Sequence, residues 1–327
     1  MVLFIFAFSS SFFAGHLQTF FYLSVLATGY FLMRWFQFGR SKKIFFSFLL
    51  LTICFFLLTF IQWYPMLQLI MQSAREIDLV PWSQQEGWFI PMSHLIQFIA
   101  PDFFGNPTTL NYWGTWNYGE MVGYVGIVPI LFAFFAIIAR RDKETYFFAT
   151  FLFLAVLFAL PTIIAKLPFV FNIPFLATSQ PTRLLFIVDF ACSILAALGI
   201  DWFIRTDNKK RMLVPIIFLG SLIGCLWFFV LQNTGENMLV ARRNLYLPTL
   251  LVVSVSIITF LMMVIKQRQI QTVFIVILLG LTLFDLLRFA QKFIPFTDRA
   301  YLFPQTKITE FLQQDKSAWS ILNYSNK

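Results

Sequence analysis

Between Ala100 and Val122 the chain gathers Asp102, Asn106, Tyr112, Trp113, Trp116 and Glu120, interleaved with Phe103, Phe104, Asn111, Asn117 and Tyr118. Rings beside amides and carboxylates are what a carbohydrate site requires. The ring covers the apolar face of a pyranose, and the polar groups bind its hydroxyls. The same composition also fits an aromatic belt at a membrane interface, with Gly and Asn supplying turns, and the two readings are evenly weighted. Arg183 follows a proline-containing loop. A guanidinium there suits a phosphate, and it suits equally a side chain that snorkels to the interface. The only histidines are His16, in Gly-His-Leu-Gln, and His94. A lone histidine at a helix end is more often a cap than a catalyst. Two histidines in separate loops lack metal-ligand spacing, so no metal site is assigned. No dinucleotide fingerprint, P-loop, HExxH or GxSxG occurs. No cofactor is evident, and a divalent metal is left open.

The elements that must carry these residues follow from composition. Hydrophobic residues make up 59% of the 327, charged residues 12%, and 45 positions are Phe. A soluble domain carries about 25% charged residues, so lipid has to cover this surface. The net charge of +9 is not a nucleic-acid footprint, because Lys and Arg fall in short clusters between apolar runs. Eight runs approach the roughly 20 residues a bilayer requires: 17–34, 44–64, 122–139, 145–160, 184–204, 212–232, 248–265 and 271–288. Four connecting loops are short and basic, built on Arg34 to Lys43, Arg140 to Lys143, Arg205 to Arg211, and Lys266 with Arg268. The intervening loops are poor in basic residues. This alternation places the basic loops in the cytoplasm and residues 65–121, 161–183 and 233–247 outside.

The expected fold is therefore an all-α integral membrane bundle of about eight transmembrane helices plus a partial N-terminal helix. Residues 1–288 form the transmembrane domain, and 289–327 read as the start of an incomplete extracytoplasmic domain. Residues 1–14 read as the outer part of a helix whose beginning is missing. Residues 304–314 read as a short amphipathic helix, followed by the strand-like SAWSILNY. Within the long outer loop, Met92, Leu95, Ile96 and Ile99 fall at i, i+3, i+4 and i+7. That spacing predicts an interfacial helix over 91–100 with His94 and Gln97 on its other side. Among charges within spans, Asp285 with Arg288 and Asp201 with Arg205 have the spacing of local ion pairs. Asp189 has no local partner and is a functional candidate on that ground. Cys54, Cys192 and Cys225 lie in apolar runs and read as small buried hydrophobes.

Several segments, in order, carry a resemblance: AGHLQTFFYLSVLATGYFLMRW, HLIQFIAPDFFGNP, NYWGTWNYGEMVGYVGIVPILFAFFAI, QPTRLLFIVDFACSILAALGID and DRAYLFPQTKITEFL. Together they resemble the bacterial YfhO-type membrane proteins over nearly the whole chain. That family is similar to the GT-C superfamily of polytopic glycosyltransferases, which move a sugar from a polyprenyl-phosphate carrier on the outer face of the membrane. The resemblance implies a multi-pass protein of the bacterial plasma membrane that glycosylates a cell-envelope glycan. Its partners would be the lipid-linked sugar and the glycan acceptor. The family's acidic catalytic motif belongs to a first outer loop without a counterpart here, so no catalytic base is assigned. Under this reading Arg183 contacts the donor phosphate, and Asp102 and Glu120 contact the acceptor or a metal. Tyr112, Trp113 and Trp116 carry the sugar, with Asn106, His16 and His94 as further substrate contacts. The rivals are a lipid-linked glycan transporter, which would need charges along a central path, and a non-catalytic scaffold.

Overall fold

A computed structural model describes residues 2–72, 86–115, 117–173, 176–177, 179–293, 298–301 and 306–314. Every long element among them is helical. They are α1 (Val2–Phe13), α2 (Leu17–Gln37), α3 (Lys42–Met71), α4 (Ile127–Ala139), α5 (Lys143–Ala159), α6 (Ile163–Val170), α7 (Leu185–Arg205), α8 (Leu213–Gln232), α9 (Glu236–Val264), α10 (Arg268–Phe293) and α11 (Lys307–Gln314).

Five helices are long and apolar enough to cross a membrane: Lys42–Met71, Pro181–Arg205, Lys209–Gln232, Glu236–Val264 and Arg268–Lys292. They mark a membrane-embedded protein and coincide with five of the eight expected runs. The other three runs also carry helices, but none of them reaches that length and apolarity as a single helix. α2 has 21 residues, but Gln18, Thr19, Arg34 and Gln37 keep it out of that group. The run at 122–139 yields only 13 residues of helix, about 20 Å against the roughly 30 Å of a hydrocarbon core. Residues 122–126 are non-helical and buried or half-buried. Gly126 has φ +94°, and a side chain at Gly123 would collide with Leu185 and Phe98. Hydropathy cannot distinguish such a buried loop from a helix start. The run at 145–160 becomes α5, of 17 residues, and turns by 67° into α6 across a break that holds Pro161. Counted as one bent span, α5 and α6 raise the number to six.

The core lies where α4 packs against α7. α4 is apolar on every side and mostly buried, with Phe134 and Ile137 left exposed. Phe132 and Phe135 meet the edge of Phe203 at 5.8 and 5.5 Å. Gly199 lets the two backbones close up, for an added Cβ would stand 2.1 Å from the Phe132 carbonyl oxygen. Around α1 a second cluster interlocks Phe12, Phe20 and Phe55 with Trp63.

The helix ends that carry the basic loops are joined by charge. Arg34 on α2 binds Glu144 on α5 at 2.6 Å, and Arg140 reaches Asp142, Glu144 and Asp201. Asp201 and Arg205 form the expected pair at 2.7 Å. Asp285 accepts the Tyr124 hydroxyl at 2.7 Å and the Ile127 N–H at 3.2 Å, which fixes α10 to the N-terminus of α4. One oxygen of Asp189 is buried without a hydrogen-bond partner.

The chain divides into two compact units, Met1–Leu287 and Arg288–Lys327. The second contains a 3₁₀ turn, Arg299–Tyr301, and α11, within the expected amphipathic segment. The strand-like SAWSILNY lies outside the described residues.

Candidate functional site

The predicted interfacial helix is a 3₁₀ helix, Met92–Phe98. Three residues per turn align Met92 with Leu95 and His94 with Gln97. Met92 and Leu95 are exposed, and His94 and Gln97 are fully buried. The apolar line thus faces outward and the polar line inward, against the loop that follows. His94 Nδ1 lies 2.5 Å from Gln97 Oε1, and Gln97 Nε2 donates to the Pro101 carbonyl at 3.0 Å. His94 Nε2 accepts the Thr115 N–H at 3.2 Å, and the ring stacks on Phe104 at 4.6 Å. This is a neutral imidazole with both nitrogens in use, and burial depresses its pKa.

That depression has a sign. A histidine harder to protonate in the folded protein contributes stability that is complete above its unfolded value of 6.5. The contribution is lost as pH falls through 6.5 toward the folded value, because the unfolded chain takes up the proton first. The unfolding midpoint of detergent-solubilised protein is expected to fall between about pH 7.5 and pH 5. The His94→Gln variant should lose that component of the slope, and an unchanged slope in it would remove His94 as the cause.

Asp102 and Asn106 belong to the same knot. Asp102 Oδ1 accepts from Asn106 Nδ2 at 2.9 Å and from the Tyr118 hydroxyl at 3.0 Å. Asn244 on α9 donates to the Asp102 carbonyl at 2.6 Å. Asn106 Oδ1 accepts from Thr108 N–H and hydroxyl, and its own N–H donates to Asn111. Gly105 has φ +81°, and a Cβ there would stand 2.1 Å from the Asn111 carbonyl oxygen. Burial, and then the Asp102 charge, push the Tyr118 phenol up, which keeps it a donor. Tyr112 is pushed up to about 12 by burial and donates to the Thr115 carbonyl at 2.6 Å. Trp113 sits edge-on to Phe104 at 4.7 Å within an apolar cluster. These side chains spend most of their polar atoms on one another, the buried indole N–H of Trp113 being left without a partner. Trp116 lies outside the described residues.

A second polar cluster is more open. Arg183 lies in the 3₁₀ turn Pro181–Leu184 ahead of α7. Its Nη2 is 3.7 Å from Glu120 Oε1, and its Nη1 is 2.9 Å from His16 Nε2 and 3.3 Å from Gln18 Oε1. Glu120 Oε2 accepts the Thr182 hydroxyl at 3.0 Å. Gln18 also donates to the Gln180 carbonyl at 2.7 Å and to the Tyr22 hydroxyl at 2.8 Å. His16 is exposed at the N-cap position of α2, its Nδ1 lying 3.2 Å from Thr19 N and 2.8 Å from the Thr19 hydroxyl. The Arg183 and Glu120 side chains are 32% and 27% exposed. That opening is what allows an outside group to reach them.

Of the residues predicted from sequence, the structure thus joins His16, Glu120 and Arg183 in one cluster. It joins His94, Asp102, Asn106, Tyr112 and Trp113 in another. Thr182 and Asn244 were missed. Thr182 could have been noticed as the neighbour of Arg183, whereas Asn244, 142 residues from Asp102, left no local signal. No group of three His, Cys, Asp or Glu side chains that could hold a metal occurs among the described residues. No family model, curated protein or solved structure matches the chain.

Proposed function

We propose that this protein is a GT-C-like membrane glycosyltransferase of the YfhO type. It moves a sugar from a polyprenyl-phosphate carrier to a cell-envelope glycopolymer on the outer face of the bacterial plasma membrane. The observation that carries this reading is the half-exposed Arg183, flanked by Glu120 on one side and His16 on the other. In such a transfer an acceptor hydroxyl attacks the anomeric carbon, and the bond to the carrier phosphate breaks. Negative charge grows on the departing phosphate, where a fixed guanidinium fork lowers the barrier. Glu120, with one oxygen fixed by Thr182 and the other toward Arg183, is suited to receive an acceptor hydroxyl. The base that takes the acceptor proton is assigned to no residue of this chain.

The topology that goes with this reading keeps eight crossings. The five long helices are joined by α2, α4 and the bent pair α5–α6. A helix buried among its neighbours, as α4 is, need not match the lipid thickness itself. Cysteines at Thr109 and Asn208, both exposed, test it. With an impermeant thiol reagent on intact cells, Thr109→Cys should label and Asn208→Cys should not; the reverse pattern would overturn the orientation. For the activity, membranes holding the full-length protein should transfer labelled sugar from a polyprenyl-phosphate donor to envelope glycan. The reading is abandoned if they transfer no more than membranes without it.

A further inference from the structure

The contacts of His16 cannot all be made by one form of its ring. A guanidinium only donates, so Nε2, 2.9 Å from Arg183 Nη1, has to present its lone pair. The single proton of a neutral imidazole then sits on Nδ1 and is donated to the Thr19 hydroxyl at 2.8 Å. The opposite tautomer would accept the Thr19 N–H at 3.2 Å and cap α2, but it would point an N–H at a cation. Protonated imidazole fails in both respects, because it has no lone pair for Arg183 and adds a second positive charge 2.9 Å away. The contact as it stands belongs to the neutral, Nδ1-protonated ring.

We infer that His16 and Arg183 form a proton-linked seat for a phosphodiester anion, in which anion binding is coupled to uptake of one proton at His16 Nε2. With no anion present, neutral His16 occupies the guanidinium. When the imidazole takes a proton from solvent, the two cations repel, Arg183 is released, and both groups turn N–H bonds toward the same opening. An anion between them converts that repulsion into two charge-assisted hydrogen bonds. The charged neighbour is Glu120, which meets Arg183 on its far side. Gln18 and Thr19 on α2 are neutral, and Tyr22 stands behind Gln18. A phosphodiester, the linkage in a polyprenyl-phosphate-linked sugar, keeps a single charge across the range in which histidine titrates. Any pH dependence therefore reports on the protein. This inference deepens the donor-phosphate reading and rests on it for the identity of the anion.

Because the chain has two histidines, ¹⁵N-histidine labelling resolves the ring directly. In full-length protein in nanodiscs at about pH 8.5, where imidazole is neutral, His16 should show the Nδ1-protonated tautomer, with His94→Gln used for assignment. In Arg183→Ala that preference should be lost. An Nε2-protonated ring in the wild type, or a tautomer insensitive to Arg183, would overturn the inference. In the second arm, affinity is measured from about pH 8.5 to about pH 5.5 with two probes. One is a short-chain polyprenyl-phosphoryl-hexose in the nanodisc, and the other is soluble dimethyl phosphate. Affinity should rise by at least about fivefold toward low pH. His16→Gln, which keeps an acceptor for Arg183 but does not titrate, should flatten the profile. A wild-type profile as flat as that of His16→Gln defeats the proton link even if the lipid-linked sugar binds and is transferred. Conversely, a sloped profile for dimethyl phosphate without binding of the lipid-linked sugar keeps the seat and defeats the donor reading.

Discussion

Arg183→Ala in the full-length protein is expected to reduce sugar transfer by about 10²- to 10³-fold, the usual consequence of removing a preorganised donor at developing negative charge. Membrane insertion should be unchanged, because the side chain lies at a helix entry and is one-third exposed. Half-exposed ion pairs of this kind contribute about 1 kcal/mol or less to stability. Arg183→Lys should recover only part of the activity. A single ammonium cannot hold Gln18 and Glu120 and still present a planar fork to phosphate. The decisive comparison is the rate of labelled-sugar transfer at matched amounts of membrane-inserted protein. Full activity in Arg183→Ala would withdraw the donor-phosphate role.

The largest loss of stability is expected at Gly199. In a helix, replacing glycine by alanine ordinarily gains about 1 kcal/mol, and Gly224 on α8, with nothing within 4 Å of a built Cβ, should behave that way. At Gly199 the sign reverses. The added Cβ would stand 2.1 Å from the Phe132 carbonyl oxygen and 3.4 Å from Ala136. A backbone atom in the middle of a helix cannot step aside as a side-chain tip can. α4 and α7 would have to separate, loosening Phe132 and Phe135 against Phe203. Overpacking of this order costs about 1 to 3 kcal/mol for the smallest addition, and Gly199→Leu exceeds that. Thermal unfolding in detergent should rank Gly224→Ala at or above wild type, Gly199→Ala below it, and Gly199→Leu lowest. A Gly199→Ala protein as stable as wild type would mean that the helices do not approach this closely.

The five long helices were legible in the sequence because each is a continuous apolar run, and that signal does not depend on neighbours. The other three runs were harder to read because their structure is set by tertiary partners. α4 starts late because Gly123 and Gly126 pack as non-helical chain against Leu185, Phe98 and Asp285, which periodicity cannot register. The side of the 91–100 segment that carries His94 and Gln97 was readable from spacing. That this side is the buried one was not, because burial depends on Thr115 and Phe104 arriving from the next loop. The grouping of His16 with Arg183 spans 167 positions; the sequence offered only that each sits at the same expected end of an apolar run. Asp102 and Glu120 looked equivalent as loop carboxylates. They differ because Asp102 lies in a buried knot with Asn106 and Tyr118 and Glu120 does not.

The way α2 is held has a consequence for how the chain is made. At one end Gln18 and His16 bind the turn around Gln180 and Arg183, and at the other Arg34 binds Glu144. The helix is not itself among those apolar enough to cross a bilayer. The polar partners of those two ends lie 110 to 167 residues downstream, so at ribosomal rates these contacts wait roughly 5 to 30 s, while the apolar side of α2 meets Phe12 on α1 and Phe55 on α3 at once. During that interval the polar ends of α2 are unmet. Ribosome pauses or premature release inside that window would therefore leave both ends of α2 without their polar partners, although its apolar side is already packed.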